Sequence, residues 1–372
     1  MVNYGMQSYN FEPMSRIALN ARLLIPGKLE GIGRFTLQCY KRLIDSRPDD
    51  QFLLIFDRVP PSEFTFGANV ETCHLLPPAR RPWLFDLWYD YSLTWKLKSW
   101  NADLFVSTDG YISRRTNVPQ LNVIHDINFE HNPEWLPKRY ANHFRKRFPE
   151  YAKLATKLCT VSEYSRQDIA KTYGVDPESI SIIPNAPSED FKPTENKITE
   201  SPYIVFVGSL HPRKNVPGMI KAFEQYRKWG GKYELLIVGE NMWRDERHQA
   251  KGVRYSGRLN DEKLVEAISN AEAMLYLPFF EGFGVPIVEA MACGVPVVAS
   301  NCTSLPEVCG SAAAALVDPN DYESAADTLI KLENDANWKR SRKEAGLERA
   351  RDFSWDKSAS ILNNEIKKLI NA

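Results

Sequence analysis

Residues 281–301, Glu281-Gly-Phe-Gly-Val-Pro-Ile-Val-Glu289-Ala-Met-Ala-Cys-Gly-Val-Pro-Val-Val-Ala-Ser-Asn301, decide the fold. A loop with one carboxylate and two glycines runs into a short helix that carries a second carboxylate, and a buried apolar strand, Val295 to Ala299, follows. Gly282 and Gly284 free the backbone to approach a bulky group closely. Pro286 suits the first turn of a helix, where its missing N–H costs nothing. The bare N–H groups of a helix start form a ready anion site. The segment therefore reads as a phosphate cradle flanked by two acids, built into a loop–helix–strand unit.

The same alternation runs through the rest of the chain. Ile17–Ile25 reads as a strand, Gly31-Ile-Gly-Arg34 opens a helix to about Asp45, and Phe52–Phe56, Leu104–Ser107, Leu121–Ile124 and Leu158–Val161 read as strands between helical stretches. After a polar, proline-containing link over Pro187–Pro202 the pattern restarts with Tyr203–Val207, Tyr233–Val238, Val253–Ser256, Ala273–Leu277, Val295–Ala299 and Ala314–Val317. Such β–α alternation predicts an α/β protein of two doubly wound parallel sheets. The expected divisions are 1–195, 196–354 and a final amphipathic helix over 355–372. A length of 372 residues suits two cores better than one. Ligands in such sheets sit at the carboxyl ends of strands, and every charged or glycine-rich loop below follows a strand.

The bulk chemistry narrows the function. Forty-seven basic side chains balance 47 acidic ones, which speaks against a general nucleic-acid binder. Six scattered cysteines show no metal-ligand spacing and read as reduced thiols of a cytosolic protein. The start, MVNYGMQSYNFEPMS, lacks the pattern of a signal peptide. No stretch is apolar enough to span a bilayer, so membrane contact is expected to be peripheral at most.

Several constellations carry chemistry. Val207-Gly208-Ser-Leu-His-Pro-Arg213-Lys214-Asn215 ends a strand in glycine and places two cations at a helix start. Cations there oppose the helix dipole, so a diphosphate is a good reason for them: arginine gives a forked contact and lysine a point charge. Gly31-Ile-Gly33 is incomplete as a dinucleotide fingerprint, since Thr36 stands at the third glycine. His125-Asp126 closes a strand at its carboxyl end, and Ser162 reads as a helix cap. Glu289 sits among Ile287, Val288, Ala290 and Met291, where an unpaired carboxylate is costly. An aromatic run, Trp83 to Trp95, reads as a helix packed on the first sheet, with an acceptor or membrane-surface lining as the sharper alternative. Lys138–Lys157 holds seven cations against one acid, Glu150, and reads as a solvated helix face.

Together these residues resemble a family 4 glycosyltransferase of the GT-B fold, in the mannosyltransferase-like bacterial branch of surface polysaccharide assembly. The likeness covers nearly the whole chain through Gly31-Ile-Gly33, His125-Asp126, Val161-Ser-Glu-Tyr-Ser165, Ile183-Pro-Asn185, Gly208 to Asn215, Gly257-Arg-Leu259 and the E-x7-E element from Glu281 to Glu289. It implies two Rossmann-like domains facing a central cleft, the first for acceptor and the second for donor, with the C-terminal helix crossing back to the first. It implies that Lys214 and Arg213 hold the donor diphosphate and that Glu289 binds the ribose. Glu281, with the backbone of Gly282, Phe283, Gly284 and Val285, would hold the donor sugar. Gly33 and Gly208 would lie near the phosphates and His125 near the transferred sugar, so His125, Arg213, Lys214 and Glu281 form the expected catalytic set. Asn185-Ala-Pro187 replaces the family's Asn-Gly-Val, so no role is assigned to that turn.

The resemblance further implies transfer with retention, no metal cofactor, a GDP- or UDP-sugar donor (GDP-mannose by branch likeness) and a glycan or lipid-linked glycan acceptor. The expected location is cytoplasmic, with a peripheral contact at the inner face of the membrane left open. Two other readings stay in play. A nucleotide-sugar epimerase of the same shape would convert the donor alone, and a non-catalytic carbohydrate-binding protein would bind no nucleoside diphosphate. A dehydrogenase is poorly served by the incomplete glycine fingerprint.

Overall fold

A computed structural model of the chain describes residues 14–64, 66–194, 201–240 and 250–371. The polypeptide start read above for a signal peptide and the 195/196 division fall outside these residues.

Two all-parallel sheets organise the molecule. The first comprises β1 (Arg16–Asn20), β2 (Gln51–Phe56), β3 (Val70–His74), β4 (Leu104–Ser107), β5 (Gln120–Val123), β6 (Lys157–Thr160) and β7 (Ser181–Ile182), in the order β3-β2-β1-β4-β5-β6-β7. The second comprises β8 (Tyr203–Val207), β9 (Glu234–Val238), β10 (Val253–Gly257), β11 (Ala273–Tyr276), β12 (Val297–Ser300) and β13 (Ala315–Val317), in the order β10-β9-β8-β11-β12-β13. Each order reverses once, between β1 and β4 and between β8 and β11. At such a switch point the flanking crossovers leave in opposite directions and open a crevice outside the carboxyl ends of the strands.

Burial on both faces gives the strands their near-continuous apolar composition. In β1, Ile17 and Leu19 face one core with Phe35, Tyr40 and Leu43 of the helix Gly31–Asp45. Ala18 faces the other core with Phe85, Trp88, Tyr89 and Leu93. The C-terminal helix Trp355–Ile370 crosses back to the first domain, as expected: Ser358 Oγ donates to the Pro184 carbonyl at 2.6 Å, Arg47 Nη1 donates to Asn363 Oδ1 at 3.1 Å, and Trp355 meets the Phe35 ring edge-on at 6.0 Å.

Three local readings are corrected. The first strand stops at Asn20 rather than Ile25, because the Asn20 side chain accepts from the Arg22 amide at 3.2 Å and bends the chain into a turn. The basic run is not one element: the helix ends at Leu154, and Lys157 belongs to β6. Strands β3 and β7 were not anticipated, since β3 is a half-exposed edge with the polar pattern Val-Glu-Thr-Cys-His and β7 has two residues.

Candidate active site

The switch point of the second sheet brings together Arg213, Lys214 and Glu281. Arg213 and Lys214 follow β8 and Glu281 follows β11. The two cations lie in a short 3-10 turn, Pro212–Lys214, rather than in the helix proper. Asn215, left-handed at φ 54°, separates that turn from the helix Val216–Lys228 and caps it through the Gly218 amide. The Asn215 Nδ2 donates to the Leu277 and Pro319 carbonyls, both at 2.9 Å, which ties the turn to the end of β11.

This anchoring drives Lys214 inward. It is 7 % exposed, and its ammonium donates to the Tyr276 hydroxyl at 2.7 Å and to Glu281 Oε1. Tyr276 in turn donates to Glu281 Oε1 at 3.0 Å. The Arg213 guanidinium lies 3.7 Å from Glu281 Oε2 and 3.9 Å from Asp126 Oδ2. Its Nη1 is buried and has no hydrogen-bond acceptor. Burial opposes ionisation of Glu281, but Lys214 and Arg213 outweigh it and hold the carboxyl below the usual range. Burial, with Arg213 adding to it, pulls the Lys214 ammonium down. One carboxylate is thus shared by two cations, and one buried N–H of the pair is unmatched. An anion would supply the missing acceptor.

Glycine supports this packing. A Cβ on Gly208 would stand 3.6 Å from Lys214 Cε and 3.0 Å from the Phe206 ring. Gly284 caps the helix Val285–Ala292 at φ 97°, and a Cβ there would lie 2.6 Å from Leu305. Phe283 turns its ring into the core, edge-on to Phe353 at 5.5 Å, so only its backbone is offered to a ligand. Val285 is the first helical residue and half-buried.

The first domain closes on this loop. The Gly282 carbonyl accepts from Ser162 Oγ at 2.6 Å and Ser165 Oγ at 3.2 Å, and Ser162 also caps the helix Glu163–Tyr173 as expected. A Cβ on Gly282 would lie 2.7 Å from the His125 carbonyl. His211 Nε2 donates to the Trp135 carbonyl at 3.1 Å, and Arg34 pairs with Asp261 at 2.6 Å, both between domains.

His125 donates from Nε2 to the Thr108 carbonyl at 3.0 Å and meets the Phe35 ring edge-on at 4.9 Å. Burial lowers its pKa, so the imidazole is neutral and leaves Nδ1 as an acceptor. Glu289 is 5 % exposed, and no hydrogen bond to its carboxylate is found among the described residues. Burial pushes its pKa up to about 7 against the pull of Arg34. Gly33 has a local reason: a Cβ there would lie 2.6 Å from the Leu23 carbonyl, so the helix could not start so close to that loop. Its neighbour Arg34 is the cation that acts on Glu289.

Sequence reasoning missed Tyr276, whose hydroxyl joins Lys214 to Glu281 and which reads as an ordinary strand aromatic. It also missed a buried cluster at the first sheet's switch point. There Asn20 donates to Tyr89 and Ser107, both at 3.0 Å, and Arg22 forks onto Asp109 at 2.8 and 3.0 Å. A polar strand end followed by Arg22, and a Ser-Thr-Asp step after β4, were the available signals. Among the described residues no group of three or more histidine, cysteine or carboxylate side chains could hold a metal ion.

Two doubly wound domains facing each other, with cations and a shared carboxylate at the second sheet's switch point, define the class of GT-B enzymes. Full-length structural likeness agrees: a sucrose-phosphate synthase from Thermosynechococcus elongatus superposes at TM-score 0.76 with 16 % identity over 95 % of this chain and 99 % of that one. WaaG, described as a glycosyltransferase involved in lipopolysaccharide biosynthesis, does so at 0.73 with 16 % identity over 94 % and 99 %. Residues 30–191 match the model of Glycosyltransferase Family 4, and residues 187–349 that of Glycosyl transferases group 1. The O-antigen chain mannosyltransferase B of Escherichia coli is 30 % identical over 92 % of this chain and 97 % of its own. The O-antigen chain mannosyltransferase RfbU of Salmonella typhimurium is 31 % identical over 66 % and 70 %. The chain belongs to this glycosyltransferase family and is a hexosyltransferase.

Proposed function

We propose that the enzyme transfers mannose from a nucleoside-diphosphate sugar, GDP-mannose foremost, to a saccharide or lipid-linked saccharide in surface polysaccharide assembly. The observation that carries the donor reading is the buried Lys214–Tyr276–Glu281–Arg213 cluster with its unmatched arginine N–H. The choice of mannose rests on what the two O-antigen relatives are named for.

In this reading Lys214 and Arg213 meet the donor diphosphate, aided by the amides at the start of the helix Val285–Ala292. Glu281 and the backbone of residues 282–285 hold the sugar, and Glu289 accepts from ribose hydroxyls. Charge growing on the departing diphosphate is met by fixed cations, which makes a metal ion dispensable. The C1–O bond to phosphate breaks, the acceptor oxygen bonds to C1 from the same face, and its proton passes to the leaving phosphate oxygen. Configuration at C1 is retained without a carboxylate nucleophile of the kind used by two-acid glycosidases. His125, neutral, lines the sugar side. Closure through Ser162 and Gly282 excludes water and limits donor hydrolysis.

A thermal-shift panel of GDP-, UDP- and ADP-sugars, followed by transfer of labelled mannose with chelator present, tests the reading. Stabilisation by GDP-mannose and chelator-resistant α-mannoside formation are expected. Conversion of the donor to an isomer without acceptor would instead favour the epimerase, and failure to bind any nucleoside diphosphate a non-catalytic protein.

A further inference from the structure

The helical segment from Pro82 to Ser99 is apolar on both sides. Its inner face, with Phe85, Trp88, Tyr89, Leu93 and Leu97, packs on the first sheet. Its outer face carries Trp83, Leu87, Tyr91 and Trp95, which are 62 %, 38 %, 52 % and 67 % exposed. A helix that is apolar all round is ordinarily covered all round. Single exposed apolar residues are commonplace, but a contiguous aromatic stripe marks a contact surface.

The backbone is built to make that stripe straight. In an unbroken α-helix four residues spaced by four drift around the axis by about a third of a turn over the set. Here residues Trp88–Leu93 form a π-helical stretch between the α-helices Pro82–Leu87 and Thr94–Ser99. Its wider i→i+5 turns unwind the helix and return Trp95 toward the line of Trp83. Leu76, 65 % exposed, extends the surface from the neighbouring loop, whose carbonyl accepts from Ser92 Oγ at 2.6 Å.

The charge around the stripe has one sign. The acids of this region are already neutralised: Asp86 by Arg147, Asp90 by Arg114, and Glu150 by both arginines. Among the described residues no ion pair engages Arg80, Arg81, Lys96, Lys98 or Arg115, and the Arg115 guanidinium lies over the Tyr91 ring at 4.5 Å. Tryptophan and tyrosine flanked by unpaired cations suit the headgroup level of an anionic bilayer, where aromatic rings lie at the boundary and cations meet lipid phosphates.

We propose that the Trp83–Leu87–Tyr91–Trp95 face is the surface by which the first domain lies on an anionic membrane. No helix among the described residues is long and apolar enough to cross one. The proposal deepens the reading of a lipid-linked acceptor but rests on separate residues from those of the donor site.

Flotation of the full chain with vesicles of phosphatidylglycerol and phosphatidylethanolamine, against phosphatidylcholine alone, tests it. Binding to the anionic vesicles with a blue shift of tryptophan emission is expected. The exposed double variant Trp83→Ser/Trp95→Ser should weaken that binding at least about tenfold, and Lys96→Glu/Lys98→Glu should weaken it in a salt-sensitive way. Both variants should retain the wild-type thermal shift with GDP-mannose, which reports folding and the donor site independently. Absence of vesicle binding by the wild type, or binding unchanged in the double variant, overturns the proposal. So does a dimer that the double variant converts to monomer without any vesicle binding, which would assign the face to a second copy of the chain. A failed thermal shift in the wild type would instead strike the donor reading alone.

Discussion

Lys214 and Glu281, 67 residues apart in sequence, meet as a buried ion pair from the two loops that flank the switch point of the second sheet. Tyr276 bridges them, and Arg213 shares the carboxylate. Taking one charge from such a pair strands the other. Lys214→Ala should lower turnover roughly 10²–10³-fold, the usual cost of one preorganised electrostatic contact, and destabilise the fold by about 3–5 kcal/mol. Lys214→Met combined with Glu281→Leu should recover only part of the stability, because Arg213 loses the carboxylate it shares, and none of the turnover. Urea unfolding and mannose transfer measure the two effects separately; turnover within about tenfold of wild type in Lys214→Ala would reject its role.

Glu289 makes stability depend on pH in an unusual direction. Its carboxyl titrates at about 7 in the fold, against an ordinary value of 4.5, chiefly because it is buried. The folded state therefore binds the proton more tightly than the unfolded chain. This contribution is full below the ordinary value and is lost as pH rises toward 7, about 3 kcal/mol in all. Glu289→Gln should flatten the stability profile between those limits.

If the ionised carboxylate accepts from ribose, nucleotide binding should show the opposite slope, since a proton must leave. Calorimetry with GDP should show affinity rising about fivefold from pH 6 to 7 in wild type, and no such rise in Glu289→Gln. A pH-independent affinity in wild type would remove Glu289 from the nucleotide contact.

The alternation of strands and helices and the restart near Tyr203 were readable because burial on both sheet faces writes unbroken apolar runs into the sequence, whereas the return of the last helix was implied only by the family resemblance. Arg213, Lys214, Glu281 and Glu289 were readable because charge at a helix start, or within an apolar run, is costly without a purpose. Tyr276 was not, since a strand tyrosine shows no sign of where its hydroxyl points. The Asn20–Asp109 cluster was hidden because its members lie far apart in sequence: Asn20 meets Tyr89, 69 residues on, and Ser107, 87 residues on, only in the fold. The 88–93 π stretch was likewise illegible: its residues carry no sign of the wider turn, which only the backbone bonding shows.

Gly282 sits where the two domains touch, with no room for a methyl group between the His125 carbonyl and the Asp126 side chain, 2.7 and 2.9 Å from a Cβ placed there. Gly282→Ala should push the domains apart and lower kcat/KM for transfer while leaving affinity for free GDP within a few fold, as the Lys214 cluster lies wholly in the second domain. Ser162→Ala removes one of two hydroxyls on the Gly282 carbonyl and also the cap of the helix Glu163–Tyr173, and should cost about 1–3 kcal/mol of stability, with Ser165 remaining on the carbonyl. Small-angle scattering of Gly282→Ala should show a larger radius of gyration; an unchanged one with wild-type transfer would refute the steric argument.

The C-terminal helix follows the second domain in sequence yet packs on the first. Its visible charges are poor guides to its strength. Arg42 reaches Asp356 at 2.5 Å, but Asp356 is 82 % exposed at its side chain, and an exposed pair contributes about 0–1 kcal/mol. Leu362 and Ile366 are fully buried and Trp355 nearly so. Leu362→Ala should therefore cost about 2–5 kcal/mol, while Asp356→Ala should cost under about 1 kcal/mol. Because the helix joins the domains, weakening it should also change how they unfold. Calorimetry should show one transition in wild type and two in Leu362→Ala, the GDP-sensitive one belonging to the second domain. A single, GDP-shifted transition in the variant would mean that the contacts across the cleft, led by Ser162 with Gly282 and Arg34 with Asp261, suffice to couple the domains without the helix.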